Sequence, residues 1–158
     1  MCALGTFCSR ASVVTDALVE AVAQIESTGG RHVVGDGGRA NGAWQMHVSA
    51  WEDTTAFRNR KGLPVWSYSY VHNPDVAKIY ARDYLSILER QLLNAVGPNV
   101  TAELVYAAYN VGFGRLQSRG FRIERTPSRT QSACARLTQL MISTESTAKQ
   151  NLTVAGLQ

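Results

Sequence analysis

The stretch from residue 73 to 97 constrains the fold more than any other. It opens NPDV, with Asn73 as a cap, Pro74 at the first helical position and Asp75 in the first turn. There a fixed φ and a negative charge both favour a helix start. Val76, Ile79, Tyr80, Tyr84, Ile87, Leu88, Leu92 and Ala95 then recur at helical spacing, and Gly97-Pro98-Asn99 closes the run. So long a helix with one apolar stripe has to be covered by other elements along that face. It is expected to be the strut of a mostly helical fold, with the stripe as core.

Further helices follow from the same signals. Residues 15–27 carry Leu18, Val22 and Ile25, flanked by Val19 and Ala23, with Thr15 or Asp16 as cap and Gly29-Gly30 as the stop. Ser49 to Glu52 fits a capping box and predicts a short second helix. Thr101 caps a segment through Leu104, Val105, Ala108 and Tyr109 that NVGFG breaks, and a last helix is expected over about residues 131–143. Between the first two helices the sequence changes character. GDGG is a turn signal, because Asp and Gly tolerate positive φ, and β-branched and aromatic residues surround it. This predicts a small β-hairpin or meander from about residue 32 to 48. The expected fold is therefore mainly α, one domain over residues 1–158, with flexible tails at about 1–12 and 145–158. The β insertion flanks a cleft, and Glu26 stands at its mouth.

Bulk properties exclude several classes. At 158 residues, 45% hydrophobic and 18% charged, the chain can build its own core and does not read as disordered. No apolar run approaches the ~18 residues of a membrane span, and MCALGTFCSR lacks the basic start and long apolar stretch of an export signal. A formal charge of +4 favours anionic surfaces without choosing among them. The arginines between Arg115 and Arg136 have few aromatics among them, so they read as a solvated face and no nucleic-acid partner is expected. Cys2, Cys8 and Cys134 allow one bridge with one thiol left over. His32, His47 and His72 lack metal-ligand spacing, so no metal is expected.

Glu26 is the residue this accounting does not absorb. In QIESTGG it ends a helix, where a carboxylate meets the negative end of the helix dipole at a cost of tenths of a kcal/mol up to ~1. Two further segments share its flavour of polar groups set among tightly packed small residues: GAWQM at 42–46 and YAAYNVGFG at 106–114. Together and in this order the three resemble the lytic transglycosylase and goose-type lysozyme superfamily. There a Glu-Ser ends a helix, a Gly-x-x-Gln segment follows in the β region, and Ala-Tyr-Asn-x-Gly comes later on a helix. The resemblance covers about residues 15–115. It departs from the pattern at GAWQ, where the family has Gly-Leu-Met-Gln; Trp44 either alters a subsite or fills the core.

The resemblance implies a lysozyme-like fold and cleavage of the peptidoglycan bond between N-acetylmuramic acid and N-acetylglucosamine, without cofactor. It gives Glu26 the role of general acid, a role that burial and the helix end would serve by favouring the protonated form. Ser27 matches a serine bonded near the acid or the sugar, and Gln45 a glutamine lining the cleft. Tyr109 matches a tyrosine orienting the acid, and Asn110 an asparagine holding the cleft. A transglycosylase uses the one glutamate twice and yields 1,6-anhydro ends. A lysozyme activates water, often with a second carboxylate, for which Asp36 is the candidate; its competing role is that of a turn residue. Trp66, Tyr68 and Tyr70 are candidates for stacking on sugars, whereas Trp51 is expected in the core. A catalytically idle glycan-binding module is the alternative from another class. The implied partner is the glycan strand, the chain is expected to act as a monomer, and the site of action is the cell envelope or a phage particle.

Overall fold

The computed structural model of the chain describes residues 11–155. Among them are six α-helices: α1 (Asp16–Ser27), α2 (Val48–Arg60), α3 (Pro74–Val96), α4 (Ala102–Val111), α5 (Phe113–Ser118) and α6 (Ser128–Ala155). Between α1 and α2 lies an antiparallel meander of β1 (Val34–Gly35), β2 (Ala40–Asn41) and β3 (Met46–His47), in that spatial order. Val34 pairs with Asn41, and Ala40 with His47. The architecture is the expected mainly α one with a small β lobe. No helix among the described residues is long and apolar enough to cross a membrane.

α3 is the strut. Asn73 Oδ1 accepts from the backbone N–H groups of Asp75 (3.1 Å) and Val76 (3.0 Å), which satisfies two of the donors a helix start leaves open. Its buried face runs through Val76, Ala77, Tyr80, Ala81, Leu85, Leu88 and Leu92. This face is turned slightly from the expected stripe: Ile79 and Ala95 are exposed, while Ala77, Ala81 and Leu85 are buried. α2 packs on it through Trp51, whose ring stacks on Tyr80 at 3.8 Å. Trp51 is core, as expected. Its Nε1 donates to the Trp66 carbonyl (2.9 Å), and the Trp66 N–H donates to the Tyr80 hydroxyl (2.9 Å), so the loop after α2 is tied to the core. Buried Arg58 adds an ion pair with Asp83 and a bond to the Pro64 carbonyl. A buried charge is tolerable only when partnered in this way.

Elsewhere α1 and α4 both lie against α6, and α3 against α4. Three expectations need correction. α2 starts at Val48 with His47 as a cap that makes no side-chain bond. Pairing of His47 with Ala40 holds the cap extended, so Ser49 falls inside the first turn and the capping box does not form. Helix resumes after Gly112 (φ 88) as α5, which the break at NVGFG concealed. α6 begins at Ser128 and runs to Ala155, through much of the expected tail. At the other end, Ser12 Oγ (2.6 Å) and the Val13 N–H (2.8 Å) donate to the buried Glu89 carboxylate, which fixes the approach to α1. Cys134 is a buried free thiol; Cys2 and Cys8 lie outside the described residues.

Candidate active site

α1 carries Glu26 to the cleft. Thr15 Oγ1 caps the helix through the Leu18 N–H, and its last turn holds no basic residue to offset the dipole. The helix stops at Thr28, not at a glycine: this β-branched residue takes the left-handed conformation (φ 56, ψ 44) that the sequence assigned to Gly29-Gly30. The glycines follow it with positive φ (69 and 88) and complete the reversal into the β lobe. Ser27 is buried. Its hydroxyl lies 2.6 Å from the Ala43 carbonyl and 3.1 Å from that of Ala23, and accepts from the Gly30 N–H at 2.7 Å. It therefore fastens the helix end to the β lobe beside the acid.

Glu26 itself is half-buried and receives two donors on one oxygen. Tyr106 O–H donates to Oε1 at 2.9 Å and Asn110 Nδ2 at 3.3 Å. The tyrosine that orients the carboxyl is thus Tyr106, not Tyr109. Helical geometry gives the reason: positions 106 and 110 are four apart and share a face of α4, whereas 109 is turned away from 110 by ~100°. Tyr109 O–H bonds the Trp44 carbonyl instead, at 2.5 Å. Burial, and then the Glu26 charge, raise the Tyr106 phenol far above its ordinary value, so it stays a donor at all working pH. Asn110 is itself aimed. Thr130 Oγ1, from the first turn of α6, donates to Asn110 Oδ1 at 2.8 Å, leaving the amide nitrogen for Glu26. Nothing local in the sequence links Thr130 to Glu26.

The β lobe is held by side chains that the motif singled out. Gln45 sits at positive φ (48), and its Nε2 donates to the carbonyls of His32 (3.1 Å) and Gly42 (2.8 Å). Its Oε1 lies where a Cβ on residue 35 would stand, 2.1 Å from that point, so Gly35 is required for this approach. Gln45 lines the cleft and also fastens the lobe. Trp44 is buried, and its Nε1 donates to the Val19 carbonyl at 2.8 Å. The departure from the family pattern therefore fills the core.

The cleft between the lobes has a volume of about 660 Å³. Glu26, Gln45, Tyr109 and Asn110 line it together with Asp36, His32 and His47, and Arg115, Arg119 and Arg129 stand on its helical side. A second hollow of about 270 Å³ meets it at Glu26 and is lined by Tyr106, Asn110, Arg129 and Arg136. Asp36 reaches the same cleft at positive φ (50), but its carboxylate is engaged: Arg39 contacts one oxygen at 2.9 Å and His47 Nε2 stands 3.7 Å from the other. Trp66, Tyr68 and Tyr70 do not line it. Tyr68 O–H donates to the Met46 carbonyl (2.8 Å), and its ring packs edge-on to Trp51. Among the described residues no cluster of three or more His, Cys, Asp or Glu is placed to hold a metal.

A family model described as Transglycosylase SLT domain matches residues 8–131, from before α1 into the start of α6. No curated protein and no solved structure matches the chain significantly. The match spans the carboxyl at the end of α1, the β lobe and the α4 residues that hold it, and the chain belongs to the transglycosylase SLT domain family.

Proposed function

We propose that the chain cleaves the β-1,4 bond between N-acetylmuramic acid and N-acetylglucosamine in peptidoglycan, with Glu26 as its single acid and base. The observation that carries this reading is the asymmetry of the Glu26 carboxyl. Both donors, Tyr106 and Asn110, bond Oε1, and no described residue donates a hydrogen bond to Oε2. A carboxyl held in this way keeps its orientation in both protonation states, with Oε2 free to give a proton to a bound substrate and take one back.

In the first step the Oε2 proton goes to the bridging oxygen, the bond from that oxygen to the muramic C1 breaks, and positive charge develops on the sugar ring. In the second, Glu26 takes the proton of the same sugar's 6-hydroxyl as O6 bonds to C1. The carboxyl is regenerated, no water is consumed and the product ends in a 1,6-anhydro ring. Tyr106 and Asn110 hold the acid, Thr130 aims Asn110, and Gln45 and Tyr109 line the cleft beside it. Asp36 engages Arg39 and His47, which favours the one-carboxylate route over water activated by a second carboxylate. No cofactor takes part. The whole chain is read as one catalytic domain acting as a monomer, in the cell envelope or on a phage particle.

Mass spectrometry of fragments released from purified cell walls tests this. Anhydromuramic ends from the wild type and none from Glu26→Gln are expected. Reducing ends that disappear in Asp36→Asn would replace the reading with a hydrolase, and intact walls bound by both proteins would replace it with a binding module.

A further inference from the structure

The helical side of the cleft carries more positive charge than the acid needs. Arg115 and Arg119 come from α5 and its end, Arg129 and Arg136 from the first turns of α6. All four line the hollows that meet at Glu26. Among the described residues Arg115, Arg129 and Arg136 form no ion pair, and Arg119 bonds only the backbone carbonyls of Arg125 and Arg115, both at 2.9 Å. The carboxylates that share these hollows are Glu26 and Asp36, and Asp36 already has Arg39. Like charges gathered on a concave wall repel one another and weaken the fold slightly, while creating a field that concentrates anions. Arg115, Arg129 and Arg136 are exposed, with their charges open to a ligand entering these hollows. The four are spread over 22 positions, and the turn from α5 into α6 gathers them.

We propose that this arginine wall binds carboxylates carried by the glycan strand on both sides of the scissile bond, and so selects acidic strands over neutral ones. The proposal rests on the reading of Glu26 given above. A guanidinium pairs with a carboxylate through two parallel bonds, whereas a neutral amino sugar offers no such partner. In peptidoglycan these carboxylates have two sources, the peptide stems and, where stems have been removed, the bare lactyl groups. Single-stranded nucleic acid is the less suitable anion, since its unpaired bases call for exposed aromatic rings to stack on. The ring of Tyr109 in this cleft packs against Tyr84 at 5.7 Å, and its hydroxyl is engaged.

Binding is measured with Glu26→Gln, which leaves strands uncut, against the same protein carrying Arg115→Gln, Arg129→Gln and Arg136→Gln. Three labelled ligands are compared: strands with stems, amidase-treated strands with free lactyl groups, and neutral chito-oligosaccharides. The wall predicts a loss of about tenfold or more for acidic strands, a weaker salt dependence and unchanged binding of the neutral ligand. Loss confined to stem-bearing strands identifies the stems, and loss with both identifies the lactyl carboxylate as sufficient. The Arg→Lys triple variant, which keeps charge and loses the fork, is expected in between; Arg90→Gln, remote from the cleft, should change nothing. Equal loss for neutral and acidic ligands, or none for either, overturns the wall and leaves the Glu26 reading intact. Tighter binding of single-stranded DNA than of any strand overturns the wall as well. Failure of all three saccharides to bind overturns both.

Discussion

Thr130 donates its hydroxyl to Asn110 Oδ1 at 2.8 Å, and this bond fixes which end of the Asn110 amide faces Glu26. α6 thereby takes part in aiming an acid that sits at the end of α1. The oxygen cannot serve the carboxylate while it accepts from Thr130, so the nitrogen must.

Thr130→Val should therefore slow the reaction several-fold in kcat with little change in KM, while Thr130→Ser should retain the rate. Losing this one bond costs about 1 kcal/mol of stability. Steady-state kinetics beside urea unfolding separates the two effects. A fall in activity no larger than the loss of folded protein would make Thr130 merely structural.

Tyr106→Phe removes the shorter of the two bonds to Glu26 while keeping the ring in the core. A bond to a charged group is worth about 1.5–3 kcal/mol, so a rate loss of roughly 10- to 100-fold is expected. Tyr109→Phe should affect the rate less, because its hydroxyl serves the Trp44 carbonyl. Parity of the two variants would mean that the acid is not held by α4 in this way.

Alkaline stability should fall in two stages. Burial, and then the Glu103 carboxylate, push the Cys134 thiol from 9.0 up to about 11. Burial first also raises Tyr84, Tyr106 and Tyr109 above 10.0. Each group holds its proton more tightly folded than unfolded, so its stabilisation is complete below the unfolded value and is lost as pH rises towards the folded one. Urea midpoints should be flat to about pH 9 and then decline. Cys134→Ala should delay the decline to about pH 10, where the tyrosines begin.

Thr28→Gly should stabilise the protein by roughly 0.5–1 kcal/mol, since a left-handed residue with a branched side chain is strained by about 1–2 kcal/mol and glycine is not. Thermal unfolding decides it; a lower Tm would show that the Thr28 side chain makes a contribution of its own.

Gly42→Ala should do the reverse. Its Cβ would stand 2.2 Å from the Val71 carbonyl oxygen, at a φ of 75. A cost of about 2–4 kcal/mol follows from overpacking and the left-handed backbone together. Because Val71 leads into α3, the β lobe should loosen first, and hydrogen exchange at Met46 and His47 would report it.

The sequence by itself determined the helices and their order. NPDV, the Thr15 and Thr101 caps and the apolar spacing are local signals, and local signals decide helix starts. It also determined that Glu26 is out of place electrostatically and that three motifs stand in a known order. Tertiary structure decided the partners. The share of α4 that meets Glu26 depends on its rotation against α1 and α6, and that rotation gave the bond to Tyr106 in place of Tyr109. Ser27 turned inward because Ala43 approached it. Asn110 was aimed, and four arginines were gathered, by the packing of α6 beside α4. Contacts across 20 or 80 positions leave no periodicity to read, since they arise from packing between elements and not from the chain's own geometry.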